Sequence, residues 1–105
     1  MVWKVLRMNV IDMHCDTIAQ IYRTQNQKET QRLLSNNLCI DLQKMKQGGY
    51  LLQNFAMFVD KGEEENPLET ALGMIDCYYQ ELNENNDWIA PVFSYEDIVK
   101  NQKNG

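Results

Sequence analysis

The sequence predicts an α/β fold built on parallel strands. Two apolar runs rich in β-branched or aromatic residues, one at Val10-Ile11 and one over Tyr50–Val59, read as strands. Segments with helical spacing follow Thr17, cover Leu42–Gln47 and resume at Pro67. A further apolar run, Trp88–Phe93, precedes a last helical segment. Strands alternating with helices argue for parallel strands joined by helical crossovers. Such an order opens either a barrel or an open sheet, and the pattern alone does not choose.

Residues 1–9 read as a lead-in, in the form of a strand that caps the fold. After Thr17, a suitable N-cap, Ile18, Ile21 and Tyr22 share one helix face. Thr24 to Asn37 is rich in Gln, Asn, Lys and Glu and reads as a solvated helix end and surface loop. Leu38–Asp41 fits a short extended segment. Leu42–Gln47 fits one or two helical turns, closed by Gly48-Gly49, because glycine accepts the left-handed conformation after a helix.

Tyr50–Val59 is apolar on both faces, as a strand covered on both sides would be, with Gln53 and Asn54 as exceptions. A buried amide there needs hydrogen bonds. Gln53 is expected either to reach toward a site or to tie down a neighbouring strand. Asp60–Asn66 is a charged loop, with Glu63-Glu64-Glu65 as a solvated face. Pro67 suits the first turn of a helix. Leu68, Leu72, Ile75, Tyr79 and Leu82 follow helical spacing and predict the side that packs on the sheet. Cys77 lies near that face and reads as a buried thiol. Ser94 and Asp97 form a capping-box pair for a helix over Tyr95–Asn101. Residues 1–105 read as a single partial domain, without internal repeats or a second domain.

The net charge is −5, and the ten basic residues are scattered. This opposes nucleic-acid binding, which calls for a basic face. No apolar run approaches the ~18 residues of a membrane span. Three widely spaced cysteines do not build a disulfide framework. A cytoplasmic, reducing location is expected, without nucleic-acid or membrane partners.

The stretch Val10-Ile11-Asp12-Met13-His14-Cys15-Asp16-Thr17 holds the only histidine. Residues two apart on a strand point to one side, so Asp12, His14 and Asp16 project together and Met13 and Cys15 face the other way. Same-side neighbours lie roughly 6.5–7 Å apart along the backbone, so an imidazole and a carboxylate can reach one ion. His and Asp suit Zn²⁺ at about 2.0–2.2 Å. A histidine beside a carboxylate is also what a plain hydrogen-bonded pair looks like. Spacing leaves both readings open, and two donors fall short of the three protein groups of a catalytic zinc site.

This stretch resembles the opening of the zinc dipeptidases of the renal (membrane) dipeptidase family, a hydrophobic pair followed by Asp-x-His-x-Asp. Ile40-Asp41-Leu42-Gln43-Lys44-Met45-Lys46-Gln47-Gly48-Gly49 resembles that family's Asp-Leu, basic residue, Gly-Gly segment. Tyr50–Val59 resembles its second strand, with Gln53 at the strand glutamine. Together these motifs span most of residues 9–100. The resemblance implies the N-terminal portion of a (β/α)₈ (TIM) barrel, a fold that takes about 250 residues. It implies that His14 and Asp16 bind zinc, two ions per complete site, sharing a glutamate that would lie beyond Gly105 together with two further histidines. A hydroxide held between the metals would attack the peptide bond of a dipeptide. Asp12 and Gln53 are expected to support the pair, not to ligate. No catalytic residue is expected within these 105 residues, the chain alone is expected to be inactive, and self-association into a homo-oligomer is one way to cover exposed strand edges. Two alternatives stand beside this reading: a metal-dependent phosphoesterase of a related barrel, and a small non-enzymatic α/β interaction domain in which the pair is structural.

Overall fold

The computed structural model describes residues 9–105. The expected lead-in strand over residues 1–9 therefore lies, apart from Asn9, outside the described residues. Six elements follow in order: β1 (Val10–Cys15), α1 (Thr17–Thr24), α2 (Leu42–Gln47), β2 (Tyr50–Phe55), α3 (Pro67–Glu84) and α4 (Tyr95–Lys103). β1 and β2 pair in parallel in a two-stranded sheet. This is a small mixed α/β domain of the class that the alternating pattern predicts.

The pairing is irregular where it matters most. Asp12 sits opposite Gln53 and Cys15 opposite Phe55. Three steps along β1 thus face two along β2, so β1 carries one extra residue, a bulge, between Asp12 and Cys15. The strand end is closed by the Ala56 N–H, which donates to the Cys15 carbonyl at 2.9 Å.

The core gathers Ile18, Ile21, Leu33, Leu42, Met45 and Cys77, with Tyr50, Phe55 and Tyr78 packed against it. Ile18 and Ile21 fill it because the α1 face is apolar at helical spacing, as expected. Asp41 starts α2 by accepting the Lys44 N–H at 2.8 Å, and Gly49 ends it with φ of 72°. Pro67 occupies the first turn of α3, and the Asn66 side chain accepts the Glu69 N–H. The Ser94–Asp97 capping box starts α4 as the sequence predicts.

Several expectations need correction. The cap position of α1 is Asp16, which makes no side-chain capping bond, and Thr17 is the first helical residue. The stretch 24–37 is not merely solvated surface. Leu33 is fully buried, held by its N–H to the Glu81 carboxylate at 3.2 Å and its carbonyl to the Leu42 N–H at 2.9 Å. Leu38–Asp41 forms no strand: the chain bends at Leu38 and Cys39, where Asn36 and Asp41 hydrogen-bond locally, and Asp41 itself is extended. β2 stops at Phe55, short of Val59, and its residues are only half-buried or exposed, since among the described residues it pairs with one strand alone.

α3 is rotated from the expected orientation. Met74, Cys77, Glu81 and Leu82 are buried, whereas Leu68, Leu72, Ile75 and Tyr79 are exposed. Two contacts set this rotation. Gly73 gives room for the Tyr22 ring of α1, and Glu81 turns inward to meet Arg32. Trp88–Phe93 pairs with no strand among the described residues. Trp88 instead lies beneath the Lys46 ammonium, 5.1 Å from the ring centre.

Candidate metal centre

His14 and Asp16 leave the C-terminal end of β1 at the point where the strand gives way to α1. Strict alternation does not put them there. The bulge leaves both Met13 and His14 exposed, so Met13, at 68% exposure, does not face opposite to His14 as alternation predicts. The bulge nevertheless brings the pair together: His14 Nε2 lies 3.2 Å from Asp16 Oδ1. Asp16 is free to make this contact because it does not cap α1.

A carboxylate oxygen only accepts, so the contact is a hydrogen bond in the tautomer that carries its hydrogen on Nε2. The same two atoms are the natural metal donors. Two ligands of one tetrahedral zinc, each at about 2.0–2.2 Å, stand roughly 3.3–3.6 Å apart. A metal would therefore take the place of that hydrogen with little movement. Both side chains are accessible, at 64% and 53% exposure. The donor chemistry and spacing fit zinc. Among the described residues, no group of three or more His, Cys, Asp or Glu side chains is arranged to hold a metal.

Asp12 does not join the pair as a donor. Its Oδ1 accepts the His14 backbone N–H at 3.3 Å, bracing the bulge from within. Gln53, opposite it on β2, donates from Nε2 to the Asp12 carbonyl at 3.4 Å and to the Asn54 carbonyl at 2.9 Å. Its Oε1 is buried without a partner among the described residues. The Cys15 thiol is pushed up by burial and by the charges of Asp12 and Asp16, which outweigh the hydrogen bonding of Thr17. It stays protonated at neutral pH and is a poor ligand or nucleophile.

A cleft of about 340 Å³ opens beside Asp16. Gln20 and Arg23 of α1 line one side, and Phe58, Asp60 and Glu63 after β2 line the other. From the sequence, Asp60–Asn66 is expected as a charged loop with Glu63-Glu64-Glu65 as a solvated face, and Arg23 and Phe58 carry no expected role. The available signal was positional: everything just after a parallel strand gathers at one end of the sheet.

The chain matches the family model described as membrane dipeptidase, peptidase family M19, over residues 4–105. No curated protein and no solved structure matches it. No described helix is long and apolar enough to cross a membrane.

Proposed function

The chain belongs to the membrane dipeptidase family, and on that premise we propose that it supplies part of the metal centre of a zinc-dependent dipeptidase, with His14 and Asp16 as two of the zinc ligands. The observation that carries this reading is the 3.2 Å approach of an accessible imidazole nitrogen and a carboxylate oxygen at the C-terminal end of a parallel strand. In a (β/α)₈ barrel that end is where the site lies. β1 and β2, parallel and adjacent, are read as the first two strands of such a barrel.

When bound, zinc supplies Lewis acidity, which makes water acidic enough to attack at neutral pH and draws electrons from a carbonyl oxygen. The residues of this chain hold and orient. His14 would ligate through Nε2 of the neutral ring, with the ring's one hydrogen on Nδ1. Asp16 contributes charge. Asp12 fixes the His14 backbone, so the ring leaves the bulge at a set angle. None of the three is the nucleophile. The substrate is a dipeptide, and the cleft between Asp16, Arg23 and Phe58 is the space it enters. The remaining donors come from outside residues 9–105, because two do not complete a catalytic zinc site.

Assaying the purified 105-residue chain on dipeptides with added zinc tests this reading, with zinc retention measured in parallel. No turnover is expected, together with weak zinc retention that His14→Ala abolishes. Robust hydrolysis by these residues alone, or zinc retention indifferent to His14, would contradict it.

A further inference from the structure

We propose that Gln53 is a positioning residue for the His14–Asp16 pair, acting from β2 by pinning the bulge of β1 that presents His14. The inference rests on the zinc reading above and extends it to a side chain on the neighbouring strand.

The geometry runs in one direct line. Asp12 and Gln53 are the last pair in register before the extra residue of β1. The Gln53 amide spans the two strands at that point, donating to the carbonyls of Asp12 and of its own neighbour Asn54. Asp12 then passes the constraint on, because its carboxylate accepts the His14 N–H. A bulge is a device that re-aims one side chain, and it needs a fixed edge to do so reproducibly. Gln53 fixes that edge.

The amide is otherwise unfavourable where it sits. Oε1 is buried and unpaired among the described residues, and a buried orphan acceptor costs stability. An apolar side chain of similar length would avoid that cost. A glutamine serving packing alone gains nothing from its amide, whereas a glutamine that holds Asp12 needs the Nε2 donor.

Two readouts on the same samples separate positioning from a merely structural role. Zinc affinity is measured by equilibrium dialysis, and the thermal midpoint is measured on metal-free protein, for the parent chain, Gln53→Met and His14→Ala. For Gln53→Met the expected result is a zinc dissociation constant about tenfold higher, with a thermal midpoint equal to or above that of the parent. Parent-like affinity overturns the proposal. So does an affinity loss accompanied by a lowered midpoint, which would make Gln53 a structural residue. If Gln53→Met does not fold, Gln53→Leu is read by the same criteria, and failure of both to fold also overturns it. His14→Ala keeps the two claims apart. If it abolishes binding while Gln53→Met does not weaken it, only this inference fails; if it leaves binding intact, the zinc reading itself fails.

Discussion

Arg32 Nε donates to Glu81 Oε1 at 2.8 Å, joining the long connection after α1 to the last turns of α3. Glu81 is only 4% exposed, and its second oxygen accepts the Leu33 N–H. The fully buried Leu33 is thus delivered to the core by a carboxylate 48 residues away. Glu81→Ala should destabilise the chain by about 2–4 kcal/mol, since it strands the buried Leu33 N–H and removes the partner of Arg32 Nε. Arg32→Ala should cost less, about 1–3 kcal/mol, because Leu33 and Asn85 still donate to the carboxylate. The additional Arg32–Glu84 pair lies in solvent and should contribute little. Urea denaturation of the two variants checks the order.

Tyr22 occupies the space a side chain at Gly73 would need. A Cβ there would lie 2.6 Å from the tyrosine ring. Gly73→Ala should therefore destabilise by about 1–2 kcal/mol, although alanine favours a helix interior by about 1 kcal/mol. Combining it with Tyr22→Leu should cost less than the sum of the two single changes, measurable as a coupling energy in a double-mutant cycle.

Asp41 makes stability depend on acid. Burial alone would raise its carboxyl, but the backbone N–H groups of Lys44 and Asn36 and the Lys44 ammonium outweigh burial and hold it below the ordinary range. Its folded value is lower than its unfolded one, so its contribution is complete above the unfolded value of about 3.9 and is lost as pH falls through the lower folded value. Denaturant midpoints should decline across that acid window in the parent. In Asp41→Asn they should start lower at neutral pH and decline less.

The orientation of α3 predicts an asymmetry between adjacent positions. Met74→Ala should cost about 2–5 kcal/mol, since Met74 is completely buried. Leu72→Ala and Ile75→Ala, on the exposed side, should stay within about 0.5 kcal/mol. Thermal unfolding of the three would distinguish this face from the one that apolar spacing suggests.

That face shows where sequence reading stops. Local chemistry was legible: Ser94 and Asp97, Pro67 and Gly49 each act through neighbours a few residues away. The α3 face was not, because two helical rows were available and tertiary contacts chose the row with Gly73 and Glu81 over the more apolar one. Leu33 was hidden for a similar reason, its anchor being remote in sequence. In the site, the two-residue spacing singled out His14 and Asp16, although the bulge is what makes their contact. The bulge did not, since an extra residue on one strand appears only when its partner strand is beside it. The cleft lining after β2 was equally invisible until the two strand ends met.

The account stands on His14 and Asp16 gripping one cation together. Following the ¹⁵N-labelled His14 ring by NMR during zinc titration tests this most directly. The account predicts a saturable shift of the Nε2 resonance, with loss of its hydrogen, and a much weaker response in Asp16→Asn. A ring that stays unmoved at saturating zinc, or a response that Asp16→Asn leaves intact, would contradict it.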